Sequence, residues 1–78
     1  MTDYTPIDCG LHSEYELAIL RGNRLRISWC GADGQHHIDV LKPLDLQTRN
    51  REEFLIGEDR QGRQLELRLD HILKTEQL

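Results

Sequence analysis

Aromatic side chains are scarce in this chain: one Trp, one Phe and two Tyr among 78 residues. A domain of this length buries only about 60% of the surface its unfolded form exposes. With so few large rings its core is lean, and an extended catalytic cleft is not expected. Long apolar runs are missing too, and nothing approaches the ~18 residues of a membrane span. No Lys or Arg precedes Arg21. The opening "MTDYTPID" therefore lacks the basic-plus-apolar build of a secretory signal, and a cytoplasmic location with no membrane partner is expected. Cys9 and Cys30 are the only cysteines, and without an export signal they are expected to be free thiols. Pro6 and Pro43 stand alone. No repeat, linker or low-complexity run divides the chain, so residues 1–78 are expected to form one domain.

What is present is charge, unevenly placed. The formal net charge is −4. Residues 1–20 contain Asp3, Asp8, Glu14 and Glu16 and no cation, whereas the acidic and basic groups of residues 21–78 cancel. The acidic excess therefore belongs to the N-terminal quarter. Such a face repels phosphate backbones, because nucleic-acid affinity rests on Lys and Arg displacing counterions. It suits a basic protein surface.

Residues 1–12 read as an irregular lead-in. Ser13 has the look of a helix N-cap, and Glu16 three residues on completes an S-x-x-E capping box. Leu11, Tyr15, Ala18 and Ile19 fall at helical spacing. Gly22 supplies a C-terminus, with Arg21 in the last turn. This predicts a helix of about two turns over 13–22, too short to be stable unless docked. Strand patterns follow over about 24–75. "RLRISW" (24–29) alternates, with Leu25, Ile27 and Trp29 on one face. "GADG" (31–34) is a turn. "QHHIDVL" (35–41) places Ile38 and Val40 on one face, and Pro43 is expected to end or edge that strand. Residues 43–52 read as a polar connection, "EFLIGE" (53–58) as a third strand and "DRQG" (59–62) as a turn. "RQLELRLDHIL" (63–73) sends Leu65, Leu67 and Leu69 inward, and a change near Asp70 starts a last strand at Ile72. One helix before four or five antiparallel strands predicts a small, strongly bent barrel or roll. Sm-like, SH3-like and OB folds all have this size.

Three chemistries can be weighed on the residues. Cys9-x-x-His12 has ligand-like spacing, and Cys30 with His36 or His37 could add a second pair. Structural zinc wants four ligands near tetrahedral, and no CxxC or HxxxH accompanies these. The plainer reading is a half-buried Cys9, a Cys30 at a strand end and surface histidines. A thiol enzyme using Cys9 and His12 would also need an orienting group, an oxyanion hole and a pocket. Asp70 and His71 are adjacent on a strand pattern and would point apart. Neither an enzyme nor a cofactor is expected. RNA binding would use Arg24, Arg26, Arg49 and Arg51, but such sites want a basic groove with stacking aromatics.

Short motifs spread along the chain shift the balance. "Y-x-P-I-D-C" (4–9), "Y-E-L-A" (15–18), "DG" (33–34), "DL-x-x-R" (45–49), "E-F-L" (53–55) and "L-R-L-D-H-I" (67–72) occur in that order. Together they resemble the Rof family, the small Rho-binding antiterminators of bacteria, over roughly residues 4 to 73. The resemblance implies one helix on a small Sm-like antiparallel β-barrel. It also implies a non-catalytic, cofactor-free protein that occupies the primary RNA-binding region of the terminator Rho. The contact residues expected are Asp8, Glu14 and Glu16, with His12 and Ser13 at the edge and Thr48, Arg49, Asn50 and Arg51 as a second contact. After the cysteine, many similar members carry an acidic, tyrosine-bearing run where this chain has Gly10, Leu11, His12 and Ser13.

Overall fold

The computed structural model describes residues 9–78; Asp8 and most of the "YTPIDC" motif lie outside these. Its elements are α1 (Cys9–Arg21), β1 (Leu25–Cys30), β2 (His36–Arg49), β3 (Glu52–Glu58), β4 (Gln64–Arg68), a 3₁₀ turn (Leu69–His71) and β5 (Ile72–Gln77). No helix among the described residues is long and apolar enough to cross a membrane. The strands form one antiparallel sheet in the order β4-β3-β2-β1-β5.

The helix begins four residues before the position its capping signal suggests. It is 13 residues long, about three and a half turns. Ser13 therefore lies inside it and is not its N-cap, and Glu16 turns to His12 one turn back. The reason is tertiary. Tyr15 and Ala18 are buried and Leu11 packs against the same core, so the stripe 11–15–18 needs helical geometry from Cys9 onward. That docking overrides Gly10, which costs a helix interior about 1 kcal/mol relative to Ala. The C-terminus ends as its sequence suggests. Gly22 adopts φ +68°. Its N–H donates to the Ile19 carbonyl, and the Asn23 N–H donates to that of Ala18. This pair of bonds is a Schellman motif.

Strand β2 also departs from expectation, running for 14 residues straight through Pro43. It changes partner there. Leu41 is opposite Leu25 of β1, while Lys42 and Pro43 are opposite Glu58 and Gly57 of β3. The register slips between Pro43 and Asp45, and a bulge is a place where a residue without an N–H does little harm. The stretch 43–52 is thus mostly strand. Only Asn50 and Arg51 form the turn, both with positive φ, 50° and 66°, as a two-residue type I′ hairpin requires.

The sheet curls. Its edge strands β4 and β5 are joined by three residues only. In a flat sheet they would lie about 19 Å apart, at ~4.8 Å per strand spacing. Four residue steps span at most about 14 Å. The concave side holds Leu25, Ile27, Leu41, Pro43, Leu55, Leu67 and Leu69, closed by Tyr15 and Ala18 of α1. The Tyr15 hydroxyl meets Thr75 Oγ1 at 2.9 Å and ties α1 to β5. Ile38 and Val40 do share a face, but it is the outer one, and Ile38 is exposed. Trp29 is half-buried and stacks on His37, with centroids 5.4 Å apart.

Candidate functional site

α1 packs chiefly on β2, which leaves a shallow groove of about 400 Å³ between the helix and the β2–β3 hairpin. Ile19, Leu20 and Leu46 give it an apolar floor, and His12, Glu16, Asp45, Thr48 and Glu53 form its rim. Leu20 is 81% exposed there, the most exposed large apolar side chain among the described residues. Strand alternation assigns the rim. Thr48 and Glu53 face the helix, whereas their neighbours Arg49 and Glu52 face the other way, toward Glu66 and Arg68.

His12 is the centre of the rim. Its Nδ1 is 2.9 Å from Glu16 Oε1, one turn along α1, and its Nε2 is 3.0 Å from Glu53 Oε2 on β3. Hydrogen bonding to Glu16 raises the imidazole above its ordinary 6.5; partial burial opposes this, and Glu53 adds to the rise. The ring thereby joins the first half of the helix to the hairpin.

The expected contact residues are sorted by this geometry. His12, Glu16 and Thr48 come together on one rim. Glu14 does not join them; two positions from Glu16, it lines a second groove of about 480 Å³ with Leu17, Arg21 and Arg24. Ser13 is exposed on α1. Arg49 is held against Phe54, its guanidinium 4.5 Å from the ring centroid, and pairs with Glu66. Asn50 and Arg51 are exposed at the hairpin tip. Asp45 was missed as a rim residue because residues 43–52 read as a polar connection, and Glu53, although placed on the third strand, because only the fold brings that strand to the helix. Alternation along 46–49 and 52–55 could have put Thr48 and Glu53 on the face of Leu46 and Leu55; the register slip between Pro43 and Asp45 hides Asp45.

The alternatives meet a different geometry. The arginines of the RNA reading are dispersed: Arg26 lies 3.6 Å from Glu76, Arg49 pairs with Glu66 and Arg24 stands by the far end of α1. Cys9 is exposed rather than half-buried, Cys30 is half-buried, and both are free thiols. His12, the proposed base or ligand, is engaged by two carboxylates. No three His, Cys, Asp or Glu side chains among the described residues converge as a metal site. The chain matches no family model and no curated protein.

Proposed function

We propose that this chain is a protein-binding regulator that inhibits Rho-dependent transcription termination, occupying the primary RNA-binding region of Rho so that RNA cannot load. The fold reading that goes with it is an Sm-like barrel, with β4 and β5 turned toward one another across the 3₁₀ turn. The observation that carries the function is the α1–hairpin groove. Three carboxylates, Glu16, Asp45 and Glu53, surround the apolar floor of Ile19, Leu20 and Leu46. A surface that binds RNA presents cations backed by apolar or aromatic surface, and this groove offers charge of the opposite sign. Action is by occupancy and charge, with no bond made or broken. Asp8 would extend the acidic contact, and Asn50 and Arg51 would reach a second point on Rho from the hairpin tip.

The experiment is competition. Purified protein is titrated into Rho with labelled cytidine-rich RNA, and RNA binding and Rho ATPase are followed. Loss of both is expected. If neither changes at many-fold molar excess, the proposal fails. Direct binding of the labelled RNA to this protein, with a steep salt dependence, would instead favour the RNA-binding reading.

A further inference from the structure

The His12 bridge makes a demand on protons that follows from its geometry. A neutral imidazole has one N–H donor and one lone-pair acceptor. Here both ring nitrogens lie within hydrogen-bond distance of carboxylate oxygens, at 2.9 and 3.0 Å. A carboxylate can only accept, so both nitrogens must carry hydrogen and the ring must be an imidazolium. When the ring loses one proton, a lone pair faces a carboxylate oxygen and one bridge has to open.

We propose that His12 is a protonation-controlled latch: as an imidazolium it holds the N-terminal half of α1 to β3 and occupies Glu16 and Glu53, and on deprotonation it releases carboxylate charge to the cations of a basic partner. The partner half of this rests on the function proposed above; the latch itself does not. The charged and titratable groups around the ring are Glu16 on α1, Glu53 on β3 and Asp45 on β2, with the Cys9 thiol one turn earlier on the helix. All the charged ones are acidic, so deprotonation of His12 leaves the rim one charge more negative. The sign follows. The folded imidazole is raised above 6.5, so the bridge contributes fully below that value and is lost as pH rises through the folded value. Binding is reciprocal with this: a partner cation that takes Glu16 and Glu53 must lower the proton affinity of His12 and release protons near that pH.

Ring-nitrogen NMR of the free protein tests the latch. His12 should titrate with a midpoint above 6.5, and Glu53→Gln and Glu16→Gln should each lower it. A midpoint at or below 6.5, or one unmoved by Glu53→Gln, overturns the latch. Binding is then measured from pH 6 to 8.5 with an oligoarginine peptide and, separately, with Rho. Wild-type affinity for the peptide should rise roughly three- to fivefold with pH, the size of a partly exposed ion pair. His12→Gln should be tight and flat, and His12→Lys weak and flat. Peptide affinities that rise equally in wild type and His12→Gln overturn the gating. If the peptide follows the latch but Rho binds no variant at any pH, the choice of Rho is wrong and the latch stands.

Discussion

Replacing Tyr15 tests whether α1 is part of the cooperative fold or an appendage. A 13-residue helix is marginal alone in water. Its only fully buried large side chain is Tyr15, 0% exposed, beside Ala18 at 4%. Tyr15→Ala removes the ring and leaves a cavity under the helix, at a cost of about 3–5 kcal/mol by analogy with other large aromatics. A domain of this size has about 4–12 kcal/mol in total, so the loss takes a quarter or more of it. Tyr15→Phe removes only the hydroxyl bonded to Thr75 Oγ1. Thr75 is half-buried and can turn to water, so that change should cost about 1 kcal/mol. The corresponding Tm losses are roughly 4–8 °C for Phe and more than ~12 °C for Ala. Urea unfolding followed by far-ultraviolet circular dichroism and by Trp29 fluorescence gives independent views, since Trp29 lies on β1 beside His37. Coincident transitions that shift together show that helix and sheet unfold as one. A Tyr15→Ala cost below ~1 kcal/mol, or loss of helical signal with the Trp29 transition unmoved, would refute the docking argument.

Arg51→Gly should stabilise the protein. Arg51 holds φ +66°, a conformation that costs a side-chain-bearing residue about 1–2 kcal/mol; after the entropy glycine loses on folding, a net gain of about 0.5–1 kcal/mol should appear as a higher urea midpoint at unchanged slope. If the same variant binds Rho less well, the strain at the hairpin tip is retained for contact. Asp59 is buried in the β3–β4 turn and accepts hydrogen bonds from the N–H groups of Gln61 and Arg63 and from Arg63 Nε. The Arg63 backbone N–H is the first cause holding its carboxyl below the ordinary 3.8. Its stabilisation is therefore present above that value and lost as pH falls through the folded one; Asp59→Asn should lower Tm at pH 7 and flatten the acid limb of Tm measured between pH 2.5 and 5. Glu16→Lys should weaken Rho binding more than Glu14→Lys, with the gap narrowing in high salt; equal effects would spread the contact over the whole helix.

Turn chemistry and strand alternation were legible in this sequence because they depend on neighbours. The "GADG" and "DRQG" turns close as i to i+3 hydrogen bonds with Gly34 and Gly62 at positive φ. Leu25, Ile27, Leu67 and Leu69 point inward as their spacing predicts. The helix start and the length of β2 were hidden because distant contacts decide them. Ser13 and Glu16 form a sound local capping signal, and the core-facing stripe from Leu11 to Ala18 overrules it. Pro43 is a sound local stop, yet a strand that changes partners can carry a proline at the exchange. The candidate site suffered the same way. His12 and Glu16 are near in sequence, whereas Asp45 and Glu53 arrive only when the hairpin folds against the helix.

Moving the helix start to Cys9 also changes what the charge pattern means. By sequence the acidic excess belongs to residues 1–20 and the remainder is neutral. In space, Glu14 lines a groove of mixed charge with Arg21 and Arg24, apart from the acidic rim. Glu16 instead meets Asp45 and Glu53, drawn from the nominally neutral part of the chain. Cations that balance that part of the chain by count pair away from the rim: Arg49 with Glu66 and Phe54, Arg68 with Asp70 and Glu52. Among the described residues the one cation lining the rim is His12, the side chain whose unperturbed charge changes near neutrality. Regional charge counts therefore place the acidic surface in the wrong residues. Strand alternation at 48–49 and 52–53 fixes it, by turning Arg49 and Glu52 toward Glu66 and Arg68 and leaving Thr48 and Glu53 toward the helix.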